Sequence, residues 1–138
     1  MARSNETTTK FKADISQLKA SMQEAARQVR LANSEFKAAT DGMENWAKST
    51  DGVNAKVKQL NSVLNAQKAQ LSSLEKQYAL VAKEQGEDSK GAQELAIKIN
   101  YQKAAIGNTQ AALSKYETEL ANAGKGTKEL DDELKAVG

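Results

Sequence analysis

The chain is predicted to be all-α: an antiparallel coiled-coil hairpin over about 53–82 and 92–122, preceded by a long amphipathic helix over about 14–40. Three observations carry that prediction. The 138 residues contain no proline, so no position forbids a continuous helix. Apolar residues recur in alternating steps of four and three along three stretches, the spacing of a helix seam. The apolar share of 39% is low beside 28% charged residues, and alanine supplies much of it, which suits narrow seams between helices better than a thick core.

Residues 1–13 form a polar N-terminal segment, and Thr7 to Ala13 reads as a stretch that could be extended. The first helix is expected to open at Asp14, because Asp14-Ile15-Ser16-Gln17 has the acceptor, spacing and glutamine of a capping box. Its seam runs Phe11, Ile15, Leu18, Met22, Ala25, Val29, Ala32, Phe36, Ala39, Met43 and Trp46. Every second seam position from Ala25 to Ala39 is alanine, which permits close helix approach and buries little area. Such a helix needs a partner, either the hairpin or another copy of itself.

Residues 14–52 end in a break region marked by Asp41-Gly42 and Asp51-Gly52, since glycine costs about 1 kcal/mol against alanine inside a helix. The seam spacing nevertheless carries through Trp46, Thr50 and Val53, so one continuous helix from Asp14 to Val81 is the alternative.

Residues 53–124 are the hairpin. Its first arm carries Val53, Val57, Leu60, Leu64, Gln67, Leu71, Leu74, Tyr78 and Val81. The second carries Ala92, Leu95, Ile99, Gln102, Ile106, Thr109, Leu113, Tyr116 and Leu120. Gln67, Gln102 and Thr109 are the polar seam members. In the expected antiparallel register Gln67 lies by Ile106, Leu71 by Gln102 and Leu60 by Leu113, so each seam glutamine faces an aliphatic residue. A lone polar seam residue often fixes register or oligomer state at some cost in stability, and reaching solvent or a third helix is one way these could do so. Ala82 to Gly91 reads as the connecting loop, with Gly86 in the left-handed conformation that closes a helix and Asp88 or Ser89 capping the next. Gly124 and Gly126 are expected to stop the last helix, leaving 125–138 as the start of a further segment with Leu130, Leu134 and Val137 at helical spacing.

Catalytic chemistry has little to work with. There is no histidine and no cysteine, so the usual bases, thiolates and soft metal ligands are missing. Glu75, Glu84, Glu94, Glu117 and Glu119 fall outside the seams, on faces read as solvated. The acidic residues near Asp41, Glu44 and Asp51 lack calcium-loop spacing, and Gly124-Lys125-Gly126 lacks the spaced glycine of a phosphate loop. Catalytic, cofactor-binding and metal residues are therefore expected to be none, and the chain is not read as an enzyme. Net charge is +2 without a basic patch for nucleic acid, and no apolar run is long enough to span a bilayer. Trp46 reads as a core or bundle-end residue, with a partner-binding anchor as the alternative.

Three stretches carry a family resemblance: Lys12-Ala13-Asp14-Ile15-Ser16-Gln17-Leu18-Lys19, Ala32-Asn33-Ser34-Glu35-Phe36-Lys37, and Leu60-Asn61-Ser62-Val63-Leu64-Asn65-Ala66-Gln67-Lys68. With the glycine-centred loop and the Ala-Gly-Lys-Gly run, they resemble the N-terminal region of tail tape-measure proteins of long-tailed bacteriophages and prophages. The resemblance implies a virion protein packed inside the tail tube, assembled in the bacterial host cytoplasm, whose length sets tail length and which leaves the tube before DNA passes. It implies tail tube subunits, tail-tip proteins and tail assembly chaperones as partners, with self-association in the assembled tail. Family members are far longer, so the chain is read as the N-terminal part of such a tape. The alternative is a cellular coiled-coil adaptor or a small secreted helical-hairpin protein. Hairpins of the secreted kind carry Trp-x-Gly in the turn, whereas here Trp46 is followed by Ala47 and Lys48 and precedes the hairpin.

Overall fold

The computed structural model describes the backbone of residues 5–137 and the side chains of residues 6–123. Three helices account for nearly all of it: α1 (Asn5–Ala39), α2 (Thr50–Gln85) and α3 (Lys90–Val137). No strand occurs among the described residues. Helices α2 and α3 form the antiparallel hairpin, and α1 folds back along the other side of α2. Among the described residues α1 and α3 both pack on α2 and make no close backbone contact with each other. The central helix is therefore the spine of an open three-helix layer.

Helix α1 starts well before Asp14. Lys10 Nζ reaches Asp14 Oδ2 at 2.9 Å, an i,i+4 pair inside the helix, so that carboxylate does not cap a helix start. Phe11 extends the seam by one turn and lines a trough with Ile15, Val81 and Leu95. That packing outweighs the roughly half a kcal/mol by which each of Thr7 to Thr9 disfavours helix.

The break at 40–49 is present, so α1 and α2 are not one helix. Gly42 takes φ +82°, which an L side chain rarely adopts. A short 3₁₀ turn, Trp46–Lys48, then lies across the start of α2. Ser49 caps α2, its Oγ accepting from the Gly52 N–H at 2.8 Å. A Cβ on Gly52 would sit 2.8 Å from the Trp46 Cα and carbonyl carbon, so only glycine lets that turn approach.

The hairpin loop is four residues, 86–89, shorter than Ala82 to Gly91 because helical bonding persists to Gln85. Gly86 does have positive φ, but at φ 100°, ψ 151° it is outside the left-handed helical basin and in a region open essentially to glycine alone. Ser89 serves both ends of the loop: its Oγ donates to the Gly86 carbonyl at 2.7 Å and accepts from the Ala92 N–H at 3.2 Å. At the far end α3 runs through Gly124 and Gly126 to Val137. Two glycines cost about 2 kcal/mol against alanine, and without a proline nothing forces the backbone out of the helix.

Candidate functional site

The residues that organise this molecule are the two faces of α2. Toward α3 the face is apolar. Leu64, Ile106 and Leu113 form the buried cluster, and Val57, Leu60 and Leu71 pack against it. Val53, Leu74, Val81 and Ala92 are also buried. Of the other seam positions, Ile15, Leu18, Met22, Val29, Phe36, Tyr78, Leu95, Ile99, Tyr116 and Leu120 are half-buried. Gln67 and Gln102 are half-buried, and the bonds of Gln102 run across the hairpin rather than to a third helix. Gln102 Nε2 donates across the hairpin to the Gln67 carbonyl at 3.0 Å and to Gln70 Oε1 at 3.1 Å. Thr109 is buried and donates to the Ala105 carbonyl of its own helix at 3.1 Å. Gln67 Oε1 is buried with no hydrogen-bond partner, a cost that fits a register marker better than a stabilising contact.

Toward α1 the face is small and polar. Ala25 and Ala32 of α1 and Ala66 of α2 are buried. Ser73 and Gln77 are also buried, at 3% and 4% exposure, although neither is apolar. Ser73 Oγ donates to the Leu18 carbonyl at 2.6 Å. A serine side chain is short, so this bond requires the two backbones to lie close, which alanines at the crossing allow. Gln77 Nε2 lies 3.3 Å from Met22 Sδ and 3.2 Å from Ser73 Oγ, and Gln59 Nε2 donates to Asn33 Oδ1 at 2.8 Å. From 18/73 to 33/59 the α1 number rises as the α2 number falls, which fixes an antiparallel register.

Counting only large apolar residues misses this face. Its signal is a second stripe with the same steps, Ala55, Gln59, Ser62, Ala66, Ala69 and Ser73, made of small and polar side chains.

One end of the layer is closed by aromatic rings. Trp46 packs edge-on to Phe36 of α1 at 5.1 Å between centroids and against Tyr116 of α3 at 5.7 Å. It is thus a bundle-end residue that links both outer helices. Lys56 Nζ lies 4.7 Å from the Phe36 ring centre and 5.5 Å from that of Trp46. Burial beneath these rings pushes the Lys56 ammonium below the ordinary lysine value of 10.5. The unfolded chain then holds this proton to higher pH than the folded one, so the Lys56 contribution to stability rises with pH through the window just below 10.5. Lys56→Met is expected to flatten the rise between pH 8 and pH 10, read as the difference in thermal midpoint between parent and variant at each pH.

Among the described residues no helix is long and apolar enough to cross a membrane, and no group of three or more acidic residues is placed to hold a metal ion. Comparison of the chain with protein families, with curated proteins and with solved structures finds no match. Geometry and the residue pattern therefore carry the functional argument.

Proposed function

We propose that the chain is a structural module, the N-terminal helical part of a bacteriophage tail tape-measure protein that sets tail length and scaffolds tail tube assembly. The observation that carries this reading is the use of α2. Both of its long faces are spent on side-by-side helix packing. A helix rises about 1.5 Å per residue, so helical chain converts residue number into length. Folded back, α1 and α2 together advance only about 54 Å, the length of one of them. This segment therefore acts as a terminus for docking tail tube, tail-tip or chaperone proteins more than as a share of the ruler.

Deleting Leu60 to Glu87 from the parent tape, about four heptads, is expected to impair tail assembly. If the segment lies extended in the tail, electron microscopy will show tails shorter by about 42 Å. Normal assembly with unchanged tail length contradicts both roles.

A cellular coiled-coil adaptor is the second reading. Ile97 and Tyr101, one turn apart on α3, are 53% and 74% exposed and face away from the hairpin seam, where they are available to a partner. An antibody against this chain separates the two: a native polypeptide several times larger than 14.9 kDa supports the tape, and one of 14.9 kDa supports the adaptor.

A further inference from the structure

We infer that the trough between α1 and α3 is a docking site for one amphipathic helix with an acidic flank, laid along α2 as the fourth helix of a bundle. The inference stands apart from the tail reading and rests on how charge is distributed around α1. That helix has one apolar seam and two unlike flanks. Asp14, Glu24 and Glu35 line clefts on one side of the α1/α2 contact, in two of which Lys76 and Lys58 of α2 stand opposite. Lys19 lines the other side, where it shares the trough with Phe11, Ile15, Leu95 and Lys98. Lys12, Arg30 and Lys37 stand seven, eleven and eighteen residues from Lys19, steps that return to the same side of a helix within about 20°. All four cations are exposed, and among the described residues none has a carboxylate partner, whereas Asp14 and Glu24 are paired within α1 to Lys10 and Arg27.

Shape and polarity select the occupant. α1 and α3 both pack on α2 without close backbone contact with each other, so the trough stays open between its Phe11 end and the Trp46 rings. Its inner edge on α1 is apolar, because Met22 and Val29 continue the Ile15 row at steps of seven and remain half-buried. Tyr101 stands on the α3 rim, seven residues after Glu94 and three after Lys98 of the trough, and is 74% exposed. Exposed tyrosines beside an apolar groove are frequent anchors for a partner. The spacing of the cations decides between anionic occupants. Four charges spread over about 38 Å cannot follow a nucleic-acid backbone, which carries a charge every few ångström. Carboxylates at steps of seven and eleven on another helix meet them one for one. A second copy offers no such flank, since the acidic side of its α1 is turned into the α2 clefts and the described carboxylates of α2 and α3 make no row at these steps.

The probe is a synthetic peptide of about 25 residues, the span from Lys12 to Lys37, with leucine at alternating steps of four and three and glutamate along one flank. Its control carries lysine in place of every glutamate. Fluorescence anisotropy with the full chain should show one glutamate peptide bound per chain and binding of the lysine peptide weaker by about tenfold or more. Lys19→Glu/Arg30→Glu should reverse that preference. Lys68→Glu/Lys83→Glu makes the same change of net charge on the side of α2 turned from the trough, and should leave it in place. Ala26→Trp, seven residues after Lys19 on the trough wall, should block the peptide while circular dichroism keeps its helical signal. Equal affinity for the two peptides, or equal weakening by both charge reversals, overturns the inference, because the attraction is then diffuse. So does binding that survives Ala26→Trp, or no binding of the glutamate peptide up to about 1 mM. Displacement of the peptide by an equal amount of duplex DNA, or a chain that is dimeric by light scattering and falls to monomers as the peptide binds, overturns it in favour of nucleic acid or a second copy.

Discussion

Leu64→Ala is expected to cost about 3 kcal/mol, enough to melt the chain many degrees early in a thermal scan followed by circular dichroism. Leu64 is 8% exposed and sits in the buried cluster with Ile106 and Leu113 from α3. Truncation removes transfer free energy and leaves a cavity that rigid helices on either side cannot fully close. A protein with so little apolar burial elsewhere has no reserve to absorb the loss. Leu31→Ala, on a side chain 50% exposed on α1, serves as the control and is expected to stay within about 0.5 kcal/mol of the parent. Equal effects at Leu64 and Leu31 would mean that the hairpin seam is not the core.

Ala66→Leu is expected to act differently. Ala66 is 6% exposed in the close crossing of α1 and α2. Ser73, one heptad further along the same stripe, bonds the opposite backbone at 2.6 Å and holds the two helices close, so three added carbon atoms at Ala66 overpack the crossing, at about 1–3 kcal/mol. The strain is relieved by separation of α1, which the hairpin does not require. Limited proteolysis of Ala66→Leu should therefore cut first within Asn5–Ala39 and leave a resistant fragment containing α2 and α3. Cleavage spread evenly over all three helices would show that α1 and the hairpin unfold as one unit.

The contrast between these two substitutions follows the two kinds of seam, and they differ in how far sequence displays them. The hairpin seam is legible because Val53 to Val81 and Leu95 to Leu120 place large apolar side chains at all but three seam positions, so period assigns the helices and the short loop between them makes them antiparallel. The α1 face of α2 is hidden because Ala66, Ser73 and Gln77 carry no hydrophobic signal, and their burial comes from backbone proximity. Element ends fail for a related reason. Asp14 has the chemistry of a cap, yet Phe11 one turn earlier finds a packing site and α1 extends to use it. Gly124 and Gly126 look like a stop, but glycine only weakens a helix, and a neighbouring proline that would end it is missing. Gly52 resembles a second break and instead lies inside α2, where its missing side chain admits the Trp46 turn.

Native-state hydrogen exchange on the unmodified chain tests most directly whether α2 is a spine with one strong and one weak face. Amides around Leu64 to Leu74 and Gln102 to Leu113 should exchange only through global unfolding. Amides of α1 from Leu18 to Ala32 should exchange through a separate, lower-energy opening that leaves the hairpin protected. A single opening free energy shared by all three helices, or α1 protected beyond the hairpin, would contradict the account.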